Sequence, residues 1–334
     1  MSAVERLLDP ILAVHDRIRA SVLEACQRQA PEQLAAVADS AGAEGDTIYA
    51  IDRVGEEALV QGLSEVARQE PLVLLAEGLA GGSLVLPRGA KEEECRWRLM
   101  VDPIDGTRGL MYQKRSAWVL TGVAPNHGAD TRLRDVVLAV QTEIPLLKQH
   151  LSDQVRALRG RGMEARRYNR LSDSWEPLAL HPSRARTIAH GYASVARFFP
   201  GGRDVLAAID DEIVAALVRP APGKAECFED QYASTGGQLY ELMAGHDRFV
   251  ADLRPLLWRS PRGLCCHPYD LCTALIAEEA GVMLTDPAGA PLDAPFDLAA
   301  DVAWVGYANQ WLRSMVEPVL HEALHRRGLL PGRP

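Results

Sequence analysis

Apolar residues follow two periods along the chain, one helical and one typical of strands, and their order predicts the elements of the fold. Residues from about 3 to 41 show the helical period with an interruption at Pro31, which predicts two helices. Residues 46–69 begin as an extended segment and continue as an amphipathic helix. The N-terminal part of the chain is therefore expected to be mainly helical.

Dense apolar runs after residue 70 predict buried strands. Residues 71–77 form a short run that ends on the carboxylate of Glu77, and residues 96–105 form a run that ends in two aspartates. Later runs resemble successive strands of an antiparallel sheet, with a turn at two glycines; they cover residues 117–125, 134–144 and 154–168.

Strands and helices alternate in the second half of the chain. The predicted strands cover residues 187–194, 248–253 and 282–286, and the predicted helices cover residues 204–218, 236–245 and 268–281. This change of pattern predicts an α+β sub-domain over residues 1–184 and an α/β sub-domain over residues 185–334.

Composition narrows the classes of function. With 47% apolar and 24% charged residues, the chain has the composition of a soluble globular protein. Its formal net charge of −9 argues against a nucleic-acid partner, because sequence-independent binding requires a basic surface. We expect no membrane partner, since no apolar run is long enough to span a bilayer. The N-terminus lacks the features of a secretory signal, which predicts a cytoplasmic protein with reduced cysteines.

The candidate chemistry lies in the segment DPIDGT, residues 102–107. Two aspartates three residues apart at the end of a buried strand can face one cation, and their hard oxygen ligands suit Mg²⁺. Gly106 and Thr107 open a turn or helix whose N–H groups can hold a phosphate. Taken alone, the segment is equally well explained as a strand end at Asp102 followed by an Asp-Gly turn at Asp105.

Three further carboxylates become candidates only in combination with this segment. Glu77 ends its own buried strand, Asp270 begins a helix, and Asp52 lies where an extended segment enters another helix. In isolation, a surface strand end is the better explanation for Glu77, and a helix cap is the better explanation for the two aspartates.

Together these residues occur in the order and approximate spacing of a known family. Asp52, Glu77, the DPIDGT segment and the block at residues 269–286 resemble the inositol monophosphatase superfamily, a Mg²⁺-dependent, lithium-sensitive group of phosphatases. The resemblance covers residues from about 46 to 309. It implies a layered αβαβα fold, with an antiparallel-sheet sub-domain and a smaller α/β sub-domain, and Mg²⁺-dependent hydrolysis of a phosphate monoester.

The resemblance also implies roles for individual residues. Two or three Mg²⁺ ions would be held by four carboxylates and one backbone carbonyl, those of Glu77, Asp102, Asp105, Asp270 and Ile104. A metal-bound water would be oriented by Thr107 with the support of Asp52, so that Asp52, Glu77 and Thr107 are the predicted catalytic residues. The predicted substrate-binding residues are Gly106, Thr107, Arg108 and Asp252, the last as the nearest match to an acidic residue that binds sugar hydroxyls.

Three positions depart from the family's pattern. Gly78 stands where relatives commonly have a second glutamate, which bears on the third metal site, and Tyr269 stands in place of a tryptophan. Arg108 interrupts the usual continuation of the motif. It is either a solvated loop charge or a group that binds a second phosphate of the substrate, since a guanidinium pairs bidentately with phosphate.

The leading prediction is an enzyme that hydrolyses the phosphate monoester of a small polyol or sugar. Because members of the family are frequently homodimers, the resemblance also implies a homodimer. Two close alternatives are a sugar bisphosphatase and a 3′-phosphonucleotide phosphatase. Alternatives of a different class are a catalytically silent relative that binds a phosphorylated metabolite, and a metal protein that shares only the aspartate cluster.

Overall fold

Helices and sheets alternate in five layers in a computed structural model, which describes residues 3–39, 48–79, 81–257 and 264–330. The helices are α1 (Glu5–Arg28), α2 (Pro31–Leu34), α3 (Ala50–Ala67), α4 (Thr107–Met111), α5 (Arg203–Leu217), α6 (Thr235–Met243), α7 (Arg254–Leu257), α8 (Ala274–Ala280) and α9 (Gln310–Arg326). The strands are β1 (Val37–Asp39), β2 (Ile48–Tyr49), β3 (Leu72–Ala76), β4 (Ser83–Leu86), β5 (Trp97–Asp105), β6 (Ala117–Pro125), β7 (Leu138–Ile144), β8 (Leu151–Leu158), β9 (Met163–Asn169), β10 (Ser174–Leu178), β11 (Tyr192–Val195), β12 (Asp247–Asp252), β13 (Met283–Thr285) and β14 (Trp304–Tyr307).

The larger sheet has the strand order β10-β9-β8-β7-β6-β5-β3-β4. Neighbouring strands are antiparallel except β3 and β5, which run parallel, so that their carboxyl ends lie at the same edge. Successive residues of β5 point to opposite faces. Leu99 packs into the core on one face and Met100 into the core on the other, and both are fully buried. The central strands are therefore apolar on both faces, which explains the dense apolar runs in the sequence.

The five layers follow from which element covers which face. On one face of the larger sheet lie α1 and α3, and α6 and α8 lie between its other face and the second sheet. The second sheet has the order β11-β12-β14-β13, and α5 and α9 cover its outer side. The predicted αβαβα layering is confirmed. Each fully buried leucine-sized side chain in these interfaces contributes about 1.5–3 kcal/mol.

The structure differs from the sequence predictions at two helices. The helix predicted after Pro31 ends at Leu34, because residues 37–39 pair with β2 instead; the end of that prediction, residues 40–41, lies outside the described residues. The helix predicted over residues 268–281 is split into a 3₁₀ turn, Pro268–Leu271, and α8. At the break, the Cys272 carbonyl packs directly against Gly122 of β6, where a side chain would collide with it.

The two sheets fall on either side of residue 185, between β10 and β11. One continuous core nevertheless contains Trp118 and Leu120 of the larger sheet together with Leu239 and Leu275 from the helices between the sheets. The division into two sub-domains at this residue stays a prediction. Within the described ranges, none of the helices combines the length and the apolar character needed to cross a bilayer.

Candidate metal centre and cleft

The two aspartates of the DPIDGT segment face the same side because β5 contains a bulge. Asp102 pairs with Leu120 of β6, and Asp105 pairs with Trp118, so that three residues of β5 span two of β6. In a regular strand, side chains three positions apart point to opposite faces, and the extra residue of a bulge restores a common face. The predicted convergence of Asp102 and Asp105 therefore depends on a backbone irregularity.

A third carboxylate comes from a distant part of the chain. Asp270 lies in the 3₁₀ turn before α8, and its Oδ2 accepts a hydrogen bond from the backbone N–H of His267 at 2.6 Å. The N-cap of this turn is His267, and Asp270 is the third residue of the turn, whose side chain reaches back to the N-cap as in a capping box. One oxygen from each of Asp102, Asp105 and Asp270 lies within 4.8 Å of the other two. Asp270 is thus not the N-cap that its position in the sequence suggested, and its place beside the other two carboxylates fits the ligand explanation.

The electrostatics of the three aspartates match a cation site. Burial, and then the charges of neighbouring carboxylates, raise the pKa of Asp102 and of Asp270 well above the usual value. Among the described residues, no lysine or arginine forms an ion pair with any of the three. Buried carboxylates this close repel one another unless a cation joins them, and oxygen donors at this spacing fit a divalent ion such as Mg²⁺.

Asp105 is held by the start of α6. Its Oδ2 accepts hydrogen bonds from the Ser234 hydroxyl at 2.8 Å and from the backbone N–H of Gly236 at 2.6 Å. A Cβ at Gly236 would lie 2.8 Å from that same oxygen and 2.6 Å from Leu120, so the close approach requires glycine. Burial raises the pKa of Asp105 to about 6, although these hydrogen bonds lower it. The start of α6 thus orients a candidate ligand.

Thr107 and Asp52 meet as the resemblance implies. The Thr107 hydroxyl lies 2.9 Å from Asp52 Oδ1 and 2.8 Å from the Ile104 carbonyl oxygen, and its single proton is donated to one of them at a time. Asp52 Oδ2 also accepts from the Tyr49 N–H at 2.8 Å, which fixes the carboxylate at the start of α3. Gly106, at φ 94°, turns the chain from β5 into α4 in a left-handed conformation that disfavours other residues.

Glu77 follows β3 directly and lines the same cleft, but its oxygens are outside the group of three that meet. Its negative charge contributes to the raised pKa of Asp102 and Asp270, behind burial and other neighbouring carboxylates, which places it close to both. At the neighbouring Gly78, a Cβ would lie 3.1 Å from Oε2 of Glu56. The Glu56 carboxylate, paired with Arg53 at 2.9 Å, therefore lies beside the position of the family's second glutamate.

Aromatic and cationic side chains also line the cleft. The cleft is open to solvent, with an empty volume of about 890 Å³. Arg108 lies over the rings of Tyr49 and Phe199, with Cζ 5.5 and 5.1 Å from the ring centres. Arg254 lies over Phe198, with Cζ 4.3 Å from the ring centre. Arg108 is thus a wall residue of the cleft and differs from a simple solvated loop charge.

Asp252 is where the structure departs from the predicted site. Its side chain is 0% exposed and is absent from the cleft lining. Both of its oxygens accept hydrogen bonds from the guanidinium of Arg254, at 2.8 and 2.5 Å. The prediction that Asp252 itself meets a sugar hydroxyl does not agree with this geometry, because the residue reaches the cleft only through Arg254.

Several residues that line the cleft were not singled out from the sequence. Glu56, Phe198, Phe199 and Arg254 are among them. One signal was available for Arg254: opposite charges two positions apart at the end of a buried strand lie on the same side and pair. The two phenylalanines follow β11 in a loop without periodicity, and nothing in the sequence alone places them at the cleft.

Three of the similar solved structures come from Pyrococcus horikoshii, Leishmania major and Bartonella henselae. No protein-family model matches the chain, and no curated protein matches it. A hypothetical protein of Pyrococcus horikoshii, described as having similarities to inositol-1-monophosphatase, is 12% identical with a TM-score of 0.63, covering 95% of this chain and 99% of that one. Fructose-1,6-bisphosphatase of Leishmania major is 13% identical with a TM-score of 0.66, covering 92% of each chain. The extragenic suppressor protein SuhB of Bartonella henselae is 16% identical with a TM-score of 0.64, covering 94% of this chain and 98% of that one.

These likenesses extend over nearly the whole described chain and include both sheets and the helices between them. At such low identity they establish the architecture and leave the chemistry to the residues of the site. The chain has the fold of the inositol monophosphatase superfamily.

Proposed function

We propose that this protein is a Mg²⁺-dependent phosphatase that hydrolyses the phosphate monoester of a small polyol or sugar. One observation carries the proposal: aspartates from β5 and from the turn before α8, more than 160 positions apart in sequence, bring their oxygens within 4.8 Å of one another. The similar structures named for inositol-1-monophosphatase and fructose-1,6-bisphosphatase support the same reaction class.

The residues of the site have separate tasks in such a reaction. Asp102, Asp105 and Asp270, with Glu77 and the Ile104 carbonyl beside them, would hold the metal. A bound divalent cation lowers the pKa of a coordinated water and neutralises charge on the phosphoryl oxygens. The start of α6 fixes the orientation of Asp105 through two hydrogen bonds.

Thr107 and Asp52 would orient the attacking water. When the Thr107 hydroxyl donates its proton to Asp52, the lone pairs of the threonine oxygen are left to accept a hydrogen bond from water. Orientation of this kind makes attack on the phosphorus productive without a covalent intermediate. Asp52 is in turn held by the Tyr49 N–H.

Phosphate release from a panel of esters tests the proposal. The panel contains inositol 1-phosphate, glycerol 2-phosphate, fructose 1,6-bisphosphate and adenosine 3′,5′-bisphosphate, each assayed with Mg²⁺ and with a chelator. We expect Mg²⁺-dependent release from at least one compound. A folded protein that releases phosphate from none of them would instead be a silent relative.

A second candidate, a bisphosphatase for sugars or 3′-phosphonucleotides, is favoured by one observation. Arg108 lies in the cleft wall directly after Thr107, packed over Phe199, where a second phosphate of a bound substrate would meet it. A preference for the two bisphosphates of the panel over the monophosphates would select this candidate. The cytoplasmic location and the homodimer are further parts of the proposal, and sedimentation equilibrium checks the homodimer.

A further inference from the structure

Arg254 is fixed firmly beside the candidate metal centre. Its side chain is only 4% exposed, Nε and Nη2 donate to the oxygens of Asp252, and Nη1 donates to the Leu264 carbonyl at 3.0 Å. The ring of Phe198 packs against the guanidinium. Three of its five N–H groups are used in these contacts, and two remain for a ligand. Such a group is oriented before any ligand arrives.

Phe199 joins Arg254 to the second cationic residue of the cleft. Its ring centre lies 5.3 Å from Cζ of Arg254 and 5.1 Å from Cζ of Arg108. Both arginines line the cleft that contains the three aspartates, and they come from different segments, α4 and α7. The aromatic ring therefore lies between the two guanidinium groups on one wall of the cleft.

The cleft is otherwise acidic, with carboxylates contributed by Asp52, Glu56, Glu77 and the three aspartates of the metal centre. A metal ion there would be engaged by the phosphate undergoing hydrolysis. A second anionic group on the substrate would be repelled from such a cleft unless it met its own cations. Guanidinium groups bind phosphates and carboxylates bidentately, whereas the carboxylate predicted at Asp252 would have favoured neutral hydroxyls.

We propose that Arg254, held in place by Asp252 and Phe198, acts together with Arg108 to bind a second anionic group, a phosphate or a carboxylate, on the leaving-group part of the substrate. This rests on the proposed phosphatase function. Asp252 is then a positioning residue, which sets the guanidinium where the family's pattern predicted a carboxylate. The substrate class is a phosphate ester with a second anionic group, in preference to the phosphate ester of an uncharged polyol.

Three compounds with the same three-carbon skeleton test the proposal. Glycerol 3-phosphate has a neutral remainder, glycerol 1,3-bisphosphate adds a phosphate, and 3-phosphoglycerate adds a carboxylate. We expect the wild type to show a kcat/KM for one or both of the compounds with a second anionic group about 10- to 100-fold above that for glycerol 3-phosphate, mainly through KM. Whichever of these two compounds has the higher kcat/KM shows whether the second anionic group is a phosphate or a carboxylate.

The main variant is the double substitution Asp252→Asn with Arg254→Met, which leaves no buried charge without a partner. We expect the preference, expressed as the ratio of kcat/KM values, to fall about 10- to 100-fold, and Arg108→Met to lower it as well. Arg132→Met is the matched control, because Arg132 is also paired with an aspartate, Asp293, but lies outside the cleft lining. Thermal unfolding confirms that each variant is folded.

Calorimetric binding of the same compounds, with Mg²⁺ on a Thr107→Val background, separates this inference from the proposed function. One outcome is that the wild type hydrolyses none of the compounds, while glycerol 1,3-bisphosphate or 3-phosphoglycerate binds more tightly than glycerol 3-phosphate and requires Arg254 to do so. In that case the proposed function fails and the anion site stands. If the wild type shows no preference in turnover and binding, or if the double variant weakens all three compounds equally, the anion site is overturned. In that second case Arg254 only supports the segment from Leu264 to Asp270.

Discussion

Two buried aspartates of the larger sheet are held in opposite ways. On β8, Asp153 accepts two hydrogen bonds from the guanidinium of Arg167, at 2.6 and 2.8 Å, and another from the hydroxyl of Tyr240. On β5, Asp102 is equally buried and accepts a hydrogen bond from the Ile104 N–H, and the groups around it are other carboxylates. The first arrangement is complete within the chain, whereas the second would be completed by the cation of the proposed metal centre.

This difference separates a structural carboxylate from a ligand. The chain pairs its scaffold charges because an unpaired buried charge costs several kcal/mol. In the cleft, Asp102 and the neighbouring carboxylates repel one another, and this repulsion lowers the stability of the fold. A metal bound at the proposed centre would offset the repulsion. Substitutions in the two regions should therefore change activity, metal binding and stability in different combinations.

The largest expected effect is on activity. Asp102→Asn removes a charged ligand from the metal centre, and we expect Mg²⁺-dependent phosphate release to fall at least about 1,000-fold, equivalent to about 4 kcal/mol. Asp153→Asn is the matched control and should retain turnover within a few-fold, because Asp153 is outside the cleft lining. Near-normal turnover in Asp102→Asn would contradict the metal assignment.

A smaller effect is expected on metal-dependent stability. Binding of Mg²⁺ at a concentration of 100 times Kd should increase the free energy of unfolding by about 2.7 kcal/mol. Asp102→Asn should lose this increase. Without metal the variant should also be more stable than the wild type, because one repelling carboxylate has been neutralised. Urea denaturation with Mg²⁺ and with a chelator measures both quantities; a metal-free variant less stable than the metal-free wild type would contradict the account of repulsion.

The third effect concerns the scaffold carboxylate alone. Asp153→Asn removes the negative charge that pairs with Arg167 and leaves a single acceptor oxygen for Arg167 and Tyr240, and we expect a loss of about 2 kcal/mol in the free energy of unfolding, in the same urea experiment. The guanidinium of Arg167 is 40% exposed and can be hydrated, which keeps the loss below that of a fully buried pair. The increase produced by Mg²⁺ should be unchanged. A variant with lower Mg²⁺ stabilisation would show that the two regions are coupled.

The sequence predicts the carboxylates of the cleft better than it predicts the partners of the scaffold aspartate, Asp153. The carboxylates of the cleft lie at strand ends and helix starts in a recognisable order, and the larger sheet follows from its apolar runs. The only sign of the bulge in β5 is Pro103, because a central strand accepts proline at a bulge, and the register itself arises from pairing with β6. The partners of Asp153 on β9 and α6 are likewise tertiary contacts, so local propensity does not reveal them.

Asp252 shows where a resemblance misleads. Its position at the end of a buried strand matched an acidic substrate-binding residue, but both of its carboxylate oxygens bind Arg254, a residue that the prediction did not use. A buried ion pair of this kind is satisfied within the fold. The direction of the Asp252 side chain is therefore set by a neighbour two positions away.

The smallest expected effect comes from a neutral member of the scaffold. The ring of His15 lies 2.8 Å from the hydroxyl oxygen of Thr121 and 2.9 Å from that of Thr142, and burial, with a smaller contribution from Arg19, lowers the pKa of His15 from 6.5 to about 3. Because the folded pKa lies below the unfolded one, only the unfolded chain takes up this proton between pH 6.5 and 3. Stability from His15 is present above pH 6.5 and is lost as the pH falls.

Between pH 7.5 and 5.5 this loss should be about 1.4 kcal/mol. It must be isolated from Glu143 and Asp210, whose raised pKa values, caused mainly by burial, act in the opposite sense over the same range. The quantity to measure is therefore the free energy of unfolding of the wild type minus that of His15→Gln at each pH, with His181→Gln as an exposed control. A difference that is constant with pH would show that His15 accepts a proton inside the fold, and that the scaffold tolerates an unneutralised charge as the cleft does.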